Sequence, residues 1–356
     1  MTQVREAVGE AIARGDLDRL VRLVGDLCAA ADWEGVVLLR DRSRAALERG
    51  LQLWPAAEYA EYRLALEAPG PFAGPVVVEG AGRFALGPLW EVAASTHSWE
   101  ELAPHLPPGP ARLLAAHERA LRGEDLAAVP GIDPGGPELP LVLQLWEPRY
   151  PVAVFHAEKA DFPGPTRPDL RPLALPAPGP VVEDDETAEA LAGLARPWAE
   201  QSNGKVEVAL VEGTAAAAIA ALRPSGVLAA PVDGAWALAA MAWAGASGGA
   251  YGRRRGAAAG RAAAWWAVAA VADLDWPPAP ERLGEALAAV PWLAWEPPEF
   301  ALGWGLHLAG EIPGEGLGFA VAASDARREE PGAEPPGPAL PGPTPRGVRS
   351  RASSGR

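Results

Sequence analysis

The sequence predicts a mixed α+β protein: a helical N-terminal domain, then a small α/β domain built around a buried central helix, then a disordered tail. Three observations carry this. Residues 1–125 hold apolar residues at helical spacing in segment after segment. Residues 205–325 hold short β-like runs interleaved with alanine-rich helical ones. From about residue 329 the chain becomes proline-rich and loses its apolar periodicity. The expected boundaries are 1–130, 138–328 and 329–356.

The first helices follow from pattern. DLDRLVRLVGDLCAAA sets Leu17, Leu20, Val21, Val24 and Leu27 on one stripe. WEGVVLLRDRSRAALERGLQLW, AAEYAEYRLALEA and PLWEVAAST continue the series. HSWEELAPHL offers Ser98 and Glu101 at capping-box spacing. PARLLAAHERALRGEDL closes it, and the short connections suit a helical bundle. LPLVLQLW and YPVAVFH read as edge strands broken by prolines. Residues 163–180 hold seven prolines and predict an extended crossing, which continues through the acidic run to 186. A helix near 187–202 follows.

KVEVALVEG, TAAAAIAAL, GVLAAPVDG and AWALAAMAW read as strand, helix, strand, helix. If that unit is parallel, Glu212 and Asp233 stand at the carboxyl ends of its strands, where α/β proteins bind ligands. Both acids equally suit helix N-termini. A helix over 253–272, another from Pro280, strands at WLAWEP and GWGLHLAGEI, and a final apolar element at GLGFAVAASDAR complete the reading.

Composition bounds the function. The net charge of −15 disfavours nucleic acid. The single cysteine, Cys28, rules out a disulfide within the chain and suits a reducing compartment. No signal peptide and no strongly apolar span is visible, so a soluble cytoplasmic protein with no membrane partner is expected. The histidines are scattered, with no metal-binding spacing, and neither metal nor cofactor is expected.

The most unusual stretch is GASGGAYGRRRGAAAGRAAAWW, residues 245–266. It lacks the lysine of a Walker A loop. Gly245–Gly249 forms a literal G-x-S-x-G, and Ser247, Asp275 and His307 fall in the chain order of an α/β-hydrolase triad. The helix-forming ALAAMAWA before it argues against the strand that motif requires. Residues 205–275 carry six cationic against five acidic side chains, a balance of +1. Arg253, Arg254 and Arg255 at a helix start oppose its dipole. Compensation is therefore expected from Glu212 or Asp233, from acids of the helical domain, or from a bound anion. Three consecutive residues fan over roughly 200° of a helix, so the arginines cannot share one site. Gly252, Gly256 and Gly260 recur every fourth residue, as a close helix contact requires, and Arg261 and Trp265 stand at cation–π spacing.

VVVEGAGRFALGPLWEVAAST, GASGGAYGRRRGAAAGRAAAWW and PWLAWEP resemble an uncharacterised family of proteins from high-GC bacteria. The resemblance covers most of residues 1–325, excludes the tail, and implies no activity. The residues thus favour a non-catalytic binding or regulatory protein with an arginine/carboxylate site near 212–261, its partner a small anionic ligand or another protein. The alternatives are a hydrolase at Ser247 and a structural partner of another protein.

Overall fold

The computed structural model describes residues 2–83, 85–132, 138–298 and 303–326. The expected tail, 329–356, lies outside the described residues.

The first half is helical: α1 (Thr2–Arg14), α2 (Leu17–Ala29), α3 (Trp33–Ala45), α4 (Trp54–Glu67), α5 (Gly70–Ala73), α6 (Leu89–Thr96), α7 (Trp99–Leu102) and α8 (Pro110–Leu121). Local chemistry sets the starts. Asp16 and Asp32 accept the N–H three residues on, at 2.9 and 3.0 Å. Ser98 accepts the Glu101 N–H as a capping box requires, but the Glu101 carboxylate turns away to the Gly70 N–H. The expected stripe of α2 is buried at Leu20, Val24 and Leu27, and Cys28 is a buried free thiol.

The second half holds β1 (Val154–Phe155), β2 (Ala160–Asp161), β3 (Arg171–Pro172), α9 (Asp185–Gly193), α10 (Arg196–Gln201), β4 (Lys205–Glu212), α11 (Ala215–Ala221), β5 (Leu228–Val232), α12 (Gly234–Ala246), α13 (Ala257–Val271), α14 (Pro280–Ala289), β6 (Trp292–Glu296), β7 (Trp304–Ile312) and β8 (Leu317–Asp325). The crossing segment 163–186 runs along the sheet, pairing through β3, through a bridge at Val181 and through backbone bonds of Pro180 and Val182 to β4.

Every pairing in the six-stranded sheet, in the order β3-β5-β6-β7-β8-β4, is antiparallel. This corrects the parallel reading of residues 205–246. β4 and β5 run in the same direction but three strands separate them. One face of the sheet packs α12, α13 and α14 through Leu306, Leu308, Phe319 and Val321. The other packs α11 through Trp295, Ala309 and Ala320. The helical half has its own cluster, including Leu20, Leu64, Leu89 and Val92.

LPLVLQLW is not a strand. Its Pro140 and Val142 carbonyls accept hydrogen bonds from Arg261, at 2.8 and 3.2 Å, instead of pairing with a neighbouring chain. Among the described residues, no helix is long and apolar enough to cross a membrane.

Candidate functional site

α12 and α13 form a tight antiparallel pair whose backbones meet at small residues. A Cβ at Gly260 would collide with the Ala242 carbonyl, and one at Gly245 would press on Ala263 and Gly260. Of the three spaced glycines, only Gly260 lies in this contact. Gly252 belongs to the preceding loop, and Gly256 is the cap residue before α13, with φ of 93°.

The loop between the two helices is pinned through its own amides. Gly249 N–H bonds to Ser247 Oγ at 3.0 Å, Ala250 N–H to Asp325 Oδ2 at 2.6 Å, and Tyr251 N–H to Ser202 Oγ at 3.0 Å. These three donors are spent inside the protein and are not open to a phosphate.

Arg253, Arg254 and Arg255 sit in the loop and not in the helix, which begins at Ala257. Their charges therefore do not open the helix. The N-terminus of α13 instead receives two carboxylates from the helical half, as a helix dipole favours. Glu91 Oε1 accepts the Ala257 N–H at 3.1 Å, and Glu118 Oε1 accepts the Ala258 N–H at 2.7 Å.

Arg254 pairs with Glu91 through Nε and Nη2, both at 2.7 Å. Its side chain is 9 % exposed and that of Glu91 is 0 %. The guanidinium also lies 4.6 Å from the Phe162 ring centre. Arg255 is partly buried, and burial holds its pKa below the usual arginine value. Arg253 is exposed and makes no side-chain ion pair among the described residues.

The pairing expected with Glu212 or Asp233 is not made. Those strand ends lie elsewhere: Glu212 is exposed at the end of β4, and Asp233 caps α12 by accepting the Trp236 N–H at 2.7 Å. Asp233 also lines a separate cavity of about 570 Å³ with Glu311 and Trp146.

Within α13, Arg261 is wholly buried. It donates Nε and Nη2 to Glu147, at 2.8 and 2.6 Å, and lies 5.1 Å from the Trp265 ring centre, as the spacing predicted.

Ser247, Asp275 and His307 are not brought together. Ser247 ends a helix instead of a strand. Asp275 follows the far end of α13, whose fifteen residues span about 22 Å. His307 lies on the other face of the sheet against Trp295, ring centres 4.9 Å apart, while Ser247 belongs to the α12 side. Burial pushes the His307 imidazole down to about 4.

Ser247, Arg253 and Arg254, but not Arg255, do line one cleft, of about 450 Å³, between residues 80–90 and the 247–254 loop. Among the described residues its cations are Arg83, Arg253 and Arg254, and no carboxylate lines it. Trp90, Phe162, Trp243 and Trp304 supply aromatic walls. Among the described residues, no group of three or more His, Cys, Asp and Glu side chains could hold a metal ion.

A single family description matches residues 2–326, nearly all of both halves and the junction between them. The chain belongs to DUF6183, a family of unknown function. The extent agrees with the resemblance read from the sequence, which stopped at 325. No curated protein and no solved structure matches the chain. Membership in DUF6183 brings no activity to transfer, so the cleft must be read from its own chemistry.

Sequence reasoning missed Glu91, Glu118 and Glu147 as partners, and Arg83 as a cleft residue. A signal existed for two of them. Glu91 falls between the buried Leu89 and Val92, and Glu118 among Ala115, Ala116 and Ala120. A carboxylate on a buried stripe requires a partner.

Proposed function

We propose that this DUF6183 chain is a soluble, cytoplasmic, non-catalytic binding protein. Its ligand is a small anion bearing a planar ring, held in the cleft between residues 80–90 and 247–254. One observation carries the reading: in a chain of net charge −15, the described residues line this cleft with three arginines and no carboxylate.

Arg83 and Arg253 are exposed and carry no ion pair among the described residues, so both are available to a ligand. Arg254 adds a guanidinium already oriented by Glu91. A planar guanidinium suits phosphate, carboxylate or sulfonate oxygens two at a time. The tryptophan walls suit a ring. Ser247 shares the cleft, so hydrolysis at its hydroxyl is the competing reading, but that oxygen already accepts the Gly249 N–H and His307 lies across the sheet.

The test is isothermal titration with 2-naphthalenesulfonate, and with neutral 2-naphthol as control. The sulfonate should bind and 2-naphthol should bind at least tenfold more weakly. The double variant Arg83→Ala/Arg253→Ala should lose the sulfonate while melting at the parent's temperature. Equal binding of both probes, or none, rejects the reading.

A further inference from the structure

The junction behind the cleft holds two carboxylates where one has a dedicated cation. Glu91, from α6, and Glu118, from α8, are both 0 % exposed. They accept successive N–H groups, those of Ala257 and Ala258, at the same helix start. Arg254 takes Glu91 in a two-point pair and so spends its fork there. The second oxygen of Glu118 is buried and receives no hydrogen bond.

The other charged group near Glu118 is Arg122, one turn along α8. It gives Nη2 to the Ala153 carbonyl at 2.9 Å and leaves Nε without a partner. The groups around Glu118 are thus Arg122 on its own helix, Glu91 from α6, Arg254 from the loop and the amides of α13.

A buried carboxylate beside another, with an oxygen that no donor reaches, holds its proton. Burial and the neighbouring Glu91 push the Glu118 pKa up to about 8. With that proton in place, Arg254 and Glu91 neutralise each other and Arg122 leaves the junction with a surplus positive charge. With the proton lost, a negative charge stands behind the cleft wall formed by Arg254.

We propose that anion binding in the cleft is proton-linked, with Glu118 as the group that takes up the proton. The inference rests on the anion-binding reading above. The coupling is reciprocal: an anion against Arg254 favours the protonated carboxyl, and the protonated carboxyl favours the anion.

The probe is again 2-naphthalenesulfonate, whose charge does not change between pH 6 and 9.5. The comparison runs from pH 7 to 9.5, above the ordinary histidine range and below that of the chain's two lysines, Lys159 and Lys205. The Kd of the parent should weaken roughly five- to tenfold between pH 7 and 9.5, the scale of one charge acting through partly solvated protein. Titrations near pH 8 in two buffers of different ionisation enthalpy should show net proton uptake on binding, a reading that needs no variant.

Glu118→Gln keeps the acceptor for the Ala258 N–H and should hold the pH 7 affinity throughout. Binding with a flat Kd and no proton uptake overturns the linkage and leaves the anion site standing. Proton uptake that persists in a folded Glu118→Gln variant assigns the proton to another group and overturns it also. No binding at any pH removes both proposals together.

Discussion

Replacing Arg261 with methionine tests the most fully buried ion pair among the described residues. Arg261 and Glu147 are both 0 % exposed in their side chains. Glu147 also accepts from Tyr150 Oη at 2.6 Å, Trp265 Nε1 at 3.1 Å and the Gln144 N–H at 3.0 Å. The guanidinium holds the Glu147 carboxyl below its usual pKa against the opposing effect of burial. Methionine fills most of the volume but leaves a buried carboxylate without its cation, at a cost of about 3–5 kcal/mol. The Pro140 and Val142 carbonyls lose their donor as well, adding about 1 kcal/mol or more. Against a typical total of about 5–15 kcal/mol, this brings the protein close to unfolding. Urea denaturation of the parent, Arg261→Met, Glu147→Gln and the double variant gives the coupling between the two. Glu147→Gln removes the charge that needs compensation, so the double variant should be at least about 2 kcal/mol more stable than the sum of the singles predicts. A loss under about 1 kcal/mol for Arg261→Met, or additivity of the two variants, refutes the reasoning.

Three further outcomes are expected. Arg254→Ala should cost about 3 kcal/mol or more, because Glu91 is left buried and unpaired, while Arg253→Ala should change stability by less than about 0.5 kcal/mol; thermal melts of the two separate a structural arginine from a free one. His307 is neutral in the fold down to about 4, whereas the unfolded chain takes its proton near 6.5. Its contribution is therefore complete above pH 6.5 and falls as pH drops toward 4, by about 3 kcal/mol, a loss that His307→Leu should remove from the pH profile of urea unfolding. A fluorophosphonate probe should leave Ser247 unlabelled, and stoichiometric labelling lost in Ser247→Ala would instead establish a nucleophile.

Most elements of the sheet half were legible because they obey local rules. β4 and β5 are short apolar runs, and Thr214 and Asp233 announce the helices after them by capping. What joins these pieces was not legible. β4 pairs with β8, and β5 lies between β3 and β6; β8 comes about a hundred residues after β4. No local pattern encodes which strand will cover an edge. The arginine run was legible as an object needing compensation, and acids of the helical half were among the partners considered. That Glu91 supplies it depends on a contact 163 residues apart in sequence. LPLVLQLW misled for a related reason: its apolar side chains suit a strand, but a buried guanidinium takes the carbonyls that pairing would need.

The helix at the centre of the sheet half takes its first two caps from α6 and α8, chain made well over a hundred residues earlier. Synthesis therefore presents α13 with a template already built. A fragment starting near residue 138 would release its central helix with two unmet amides and with Arg254 parted from its carboxylate, even though every strand of its sheet is present. Cutting this chain at the change in secondary structure would divide a unit that the chemistry has made single, and the two pieces should regain their native state only when mixed.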